Sequence, residues 1–67
     1  KEIVVSSITS SIIDGNTYYY LKDNEGKKYK VSIKVDEDYI PFIVNGNRIK
    51  IGYQTESDVT TIVKIIR

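Results

Sequence analysis

Thr17-Tyr18-Tyr19-Tyr20-Leu21-Lys22-Asp23-Asn24-Glu25-Gly26-Lys27-Lys28-Tyr29-Lys30-Val31-Ser32-Ile33-Lys34-Val35 is the stretch that decides the fold. Its centre, residues 23–27, has the chemistry of a three-residue hairpin loop, a type I turn closed by Gly26 in the left-handed conformation. Pairing Asp23 with Lys27 then fixes the register. Lys22 meets Lys28, Leu21 meets Tyr29, Tyr20 meets Lys30, Tyr19 meets Val31, Tyr18 meets Ser32 and Thr17 meets Ile33. Because side chains alternate along a strand, this register gathers Thr17, Tyr19, Leu21, Tyr29, Val31, Ile33 and Val35 on one face. Tyr18, Tyr20, Lys28, Lys30, Ser32 and Lys34 fall on the other. A slip of one residue would mix the two sets. Turn and alternation therefore predict the same hairpin.

Working outward, residues 2–9 read as a first strand with Ile3, Val5 and Ile8 inward. The longer step from Val5 to Ile8 predicts a bulge near Ser6-Ser7. The Ser/Thr run to Ser11 is either loop or the curved end of that strand. Asp14-Gly15 is a hairpin turn signal into a second strand over 17–22. After Val35, Asp36 is placed to cap a short helix, with Glu37 and Asp38 in its first turn. Pro41 limits that helix to about one turn, and Tyr39, Ile40, Phe42 and Ile43 are apolar enough to plug a barrel end. Asn45-Gly46 turns into a fourth strand, 48–54, with Ile49, Ile51 and Tyr53 inward. A polar loop, 55–58, leads to a fifth strand, 59–67. There Ile62, Val63, Ile65 and Ile66 are too dense for plain alternation, which predicts a bulge or coverage on both faces.

Composition agrees. Ile, Val, Thr and Tyr dominate, there is no Ala and only one Leu, and these are strand-forming rather than helix-forming proportions. At 67 residues the chain is one small all-β domain, burying roughly 60% of its unfolded surface. It is expected to be a monomer. No run is long enough to span a membrane. The chain starts at Lys1 without Met, which reads as a piece of a longer protein.

The same counts exclude chemistry. With no Cys and no His, disulfides, thiolate metal sites, Ser-His and Cys-His pairs and the usual zinc ligands are all ruled out. The glycines are isolated and form no phosphate loop. Asp36-Glu37-Asp38 is read as a solvated helix start rather than an acid–base or cation site. The expectation is a non-enzyme without cofactor or metal. Ten basic against nine acidic residues give a net charge of +1, far from the signature of a dedicated nucleic-acid binder.

Three strands, a short helical piece and two strands, with the long first strand, the Gly26 hairpin and residues 41–53, resemble the OB-fold, a five-stranded Greek-key barrel. Within the last segment, Val44-Asn45-Gly46-Asn47-Arg48-Ile49-Lys50-Ile51 is similar to the entry into strand 4 of such barrels, with Asn47 where Asp is usual. The chain also resembles small barrel domains of exported or lipid-anchored (lipoprotein) bacterial proteins of the Firmicutes, which implies an extracytoplasmic location. A Src-homology-like barrel is the other architecture considered; it would need its helical turn between the last two strands.

The OB-fold resemblance implies a ligand on the outer face of strands 2 and 3. Tyr18 and Tyr20 are then candidate stacking platforms, and Lys28, Lys30 and Lys34 candidate anion contacts. A non-catalytic binding, interaction or spacer module is expected, with protein or glycan favoured over nucleic acid. Single-stranded nucleic acid or oligosaccharide on this face is the alternative.

Overall fold

A computed structural model describes all 67 residues. Five strands, β1 (Glu2–Ile13), β2 (Asn16–Asp23), β3 (Lys28–Ser32), β4 (Arg48–Glu56) and β5 (Val59–Ile66), form a closed barrel in the order β1-β2-β3-β5-β4. No helix is long and apolar enough to cross a membrane. The β2–β3 register is the one the turn dictates: Tyr18 opposite Ser32, Tyr19 opposite Val31, Tyr20 opposite Lys30, Leu21 opposite Tyr29 and Lys22 opposite Lys28. Gly26 has φ +85°, and its amide donates to Asp23 O at 3.0 Å.

Both expected irregularities are bulges. In β1 the register shifts between Val5, opposite Asp23, and Ser7, opposite Lys22. The extra residue is Ser6, whose hydroxyl donates to Lys22 O and Asp23 O. It turns Ser6 and Ser7 outward and returns Ile8 to the core side, across from buried Leu21. In β5 the extra residue is Val63, between Ile62 opposite Tyr53 and Lys64 opposite Gly52. That accounts for the dense apolar run: Ile62 is buried, Val63 points out, and Ile65 packs against the core again. Each inserted residue lets a strand bend around a small barrel without losing its inward set.

The core is Ile3, Val5, Leu21, Tyr29, Val31, Ile40, Ile43, Ile49, Ile51 and Ile62. Ile8, Tyr19, Val35, Tyr39 and Ile65 are partly buried against it. Tyr19, expected inward, thus lines the core margin rather than its centre. Tyr53 also keeps the inward side, opposite buried Ile62, but it stands at the rim and is 41% exposed.

Of the two readings left open for the Ser/Thr run, the strand holds: β1 continues through it to Ile13. Four other sequence expectations are corrected. β3 stops at Ser32, because the Ser32 hydroxyl accepts from the Lys34 amide at 3.2 Å and caps a 3₁₀ turn over Ile33–Val35. Asp36 does not cap a helix with its side chain. Its carbonyl accepts from the Tyr39 and Ile40 amides, and its carboxylate accepts from the Arg67 guanidinium at 3.0 Å. A second 3₁₀ turn, Ile40–Phe42, holds Pro41 in its first turn. Ile40 and Ile43 fill the core from this segment, but Phe42 is 75% exposed and plugs nothing. Finally, residues 55–58 are not a loop. β4 and β5 meet in a two-residue turn, with Ser57 at φ +50° and Asp58 at φ +66°.

Candidate ligand-binding site

The outer face of β2 and β3 carries Tyr18, Tyr20 and Lys22 on one strand and Lys28 and Lys30 on the other, as strand alternation requires. The face is not flat. β3 and β5 run parallel but register through a single pair, Lys30 with Thr61, so the wall between them is shallow. A groove of about 570 Å³ lies there, lined by Ser7, Thr9, Tyr20, Lys22, Lys28, Lys30, Asp58, Val59 and Thr60 among others. A second depression of about 400 Å³ involves Tyr18, Lys30, Ser32, Val35, Val59 and residues 61–63. Lys30 and Val59 line both, so the two form one track along the seam.

The charges on this track are uncompensated. Lys22 and Lys28 are directly opposite each other, a like-charge pair that costs stability on a sheet. The ion pairs in the molecule join Arg48 to Glu2 and Arg67 to Asp36; none involves Lys22, Lys28 or Lys30. The Lys30 ammonium instead sits 4.5 Å from the centre of the Tyr18 ring, a cation–π contact that positions both groups while leaving the charge free for an anion. Asp58, on the β4–β5 turn, is the acidic residue lining the groove. Lys22 guards no sheet edge, since β2 is paired on both sides, whereas Lys28 and Lys30 stand on β3, whose side towards β5 registers through one pair only.

Of the residues proposed from sequence, the structure brings Tyr18, Tyr20, Lys28 and Lys30 together. Lys34 falls outside the set: it lies on the first 3₁₀ turn, is exposed and lines neither depression. Lys22 was missed, although the hairpin register already put it opposite Lys28. Val59 and Asp58 were missed because reaching the track depends on how β5 closes against β3, a long-range contact with no local signal.

A second polar group surrounds the β2–β3 turn. The Asp23 carboxylate is buried, with 4% exposure. It accepts from the Glu25 and Lys27 amides and from the Tyr29 hydroxyl, each at 2.9 Å. Burial works to raise its pKa, but the Lys27 amide, the Tyr29 hydroxyl, the Glu25 amide and the nearby Lys1 charge outweigh it and hold the group below its ordinary value. Burial raises the pKa of Tyr29. The Tyr29 hydroxyl raises that of Lys1. The Lys1 and Lys27 ammonium groups each lie within 5.7 Å of the Tyr29 and Tyr53 ring centres. No buried side-chain polar atom here lacks a partner, so the arrangement is that of a clamp on the turn.

Comparison with protein-family models, with curated proteins and with solved structures gives no match to this chain.

Proposed function

We propose that the protein is an OB-fold-like, non-catalytic binding module that takes an extended anionic chain along the β2–β3 face. The strand order and the 3₁₀ segment between β3 and β4 support the OB-like reading. One observation carries the ligand class: the unpaired Lys22, Lys28 and Lys30 converge on a groove that Tyr20 and Val59 line with apolar surface. Burying a cross-strand like-charge pair under a polyanion removes the repulsion the free protein carries. Tyr20, and Tyr18 with its bound Lys30 ammonium, offer flat surfaces for a base or a sugar ring.

The test is an NMR titration with single-stranded DNA, an acidic polysaccharide and a neutral oligosaccharide. Shifts at Tyr18, Tyr20, Lys22, Lys28, Lys30 and Val59 are expected with the polyanions, fading as salt is added. Response to DNA alone would select a nucleic acid, and response to both would select charge as the recognised property. The double change Tyr18→Ala, Tyr20→Ala should abolish binding with the barrel intact. Salt-independent binding of the neutral sugar, or no shift on this face, would overturn the proposal.

A further inference from the structure

The five strands close into a barrel, but β1 outruns its neighbour β4. β4 registers only with Glu2, Ile3 and Val4, and two further backbone bonds tie Val5 to Gly46 and Asn47. From Ser7 to Ile13 the strand has β2 on one side and nothing on the other. Alternate residues of an antiparallel strand direct both backbone groups to the same side, so this segment presents a row of unsatisfied N–H and C=O groups at an open edge. Such edges are ordinarily protected by a lysine, a proline, a bulge or a covering loop. Beyond the Ser6 bulge this one has none of them. No charged side chain occurs from Ile3 to Ile13, the longest uncharged stretch of the chain.

The segment's inner five residues, 8–12, mirror one another when read backwards, although the outer pair, Ser7 and Ile13, does not. Around Ser10, Thr9 is balanced by Ser11 and Ile8 by Ile12. A two-fold axis through Ser10 would set Ser10 against Ser10, Thr9 against Ser11 and Ile8 against Ile12, matching hydroxyl with hydroxyl and aliphatic with aliphatic. Ile12 is 74% exposed in the isolated chain and would gain an aliphatic neighbour. An edge with charges, or with a lopsided pattern, would fit a foreign strand better than itself. The geometry points to a homodimer in which the second half of β1 pairs antiparallel with the same segment of a second copy, centred on Ser10. Self-association replaces the monomer expected from sequence. A two-fold axis perpendicular to the joined sheet leaves equivalent faces on the same side, so both β2–β3 faces point the same way in the dimer.

Sedimentation equilibrium of the full chain over a range of concentrations tests this directly. The mass should rise from that of one 7.7 kDa chain towards two as concentration approaches millimolar. Ser10 is exposed, so Ser10→Lys and Ser10→Asp should each fold normally, checked by amide spectra, yet weaken association at least about tenfold by opposing like charges at the axis. An equimolar mixture of the two variants should recover the two-chain mass. A wild-type chain that stays single at millimolar concentration overturns the proposal. So does association unaffected by Ser10→Lys, or a mixture that fails to recover it while the wild type pairs.

Discussion

The turn between β2 and β3 and the turn between β1 and β2 use the same two residue types and are held in place very differently. Each has an aspartate, and each has a glycine at positive φ, Gly26 at +85° and Gly15 at +78°. Asp23 is buried and accepts from two amides and a tyrosine hydroxyl. Its turn is fastened to the first strand as well, through Asn24 N to Val4 O at 3.0 Å and the two Ser6 bonds. Asp14 is exposed at φ +52°, and the side chain–backbone bond at its turn is a long one, Asn16 Nδ2 to Asp14 O at 3.4 Å. One turn is part of the core and the other is the tip of a projecting ribbon. Turn chemistry sets a turn's shape, while tertiary contacts determine how much stability it carries.

The largest effect that would test this contrast is Asp23→Ala. It should cost about 3 kcal/mol, because the buried Tyr29 hydroxyl and two amides lose an ionised acceptor. Asp14→Ala, with nothing buried at stake, should stay within about 1 kcal/mol. Denaturant melts of both variants decide it, and equal losses would erase the distinction.

Acid should expose the same carboxylate. A folded-state pKa below the unfolded value means stability that is complete above the ordinary value of about 3.8 and is lost as pH falls through the folded value. Stability measured from pH 6 downward should therefore decline below about pH 4, and the Asp23→Ala variant should show a shallower decline. Lys1 and Tyr29 are shifted up, so their contributions are complete below their unfolded pKa values and are lost only in strong alkali.

Tyr29→Phe, which removes one hydroxyl and leaves the ring, should cost about 1–2 kcal/mol. Its melting curve should keep the wild-type m-value. Gly26→Ala should cost about 1 kcal/mol, entirely conformational because no atom lies within 4 Å of the added Cβ. Gly15→Ala faces the same backbone penalty, but its tip can fray locally, so its effect on global unfolding should be smaller. Hydrogen exchange would separate the two. Smallest and opposite in sign, Asp58→Gly should stabilise by roughly 0.5–1 kcal/mol, since it relieves a left-handed non-glycine residue.

The sequence was most legible where two local rules converged. Gly26 and the alternation of residues 17–32 each specify the same register, and inward residues three apart, Val5 to Ile8 and Ile62 to Ile65, mark both bulges. It misled where a pattern had two meanings. Ile33 and Val35 continue the alternation of β3, yet both are also partly buried in a 3₁₀ turn, so Lys34 between them reads as a strand residue from sequence and lies on the turn in the structure. Ser57-Asp58 lacks the glycine that advertises a two-residue hairpin. Asp23 looked like an ordinary turn residue, since nothing local announces that Tyr29 will reach back to it. Val59 and Asp58 on the groove belong to the same class: their roles are created by barrel closure, a contact between distant segments.

That closure has a consequence for how the molecule assembles. The ring is sealed by one registered pair between β3 and β5 and three between β4 and β1, while the hairpin neighbours β1–β2, β2–β3 and β4–β5 have long registers, the first and last each broken by one bulge. The chain is thus two sequence-local sheets, a three-stranded piece and a two-stranded piece, joined by the segment that brings Ile40 and Ile43. Local pairing requires little loop closure and forms early, whereas the seams need the whole chain gathered first. Substitutions along the seams then act chiefly on the rate of unfolding, and those in the Gly26 hairpin on the rate of folding.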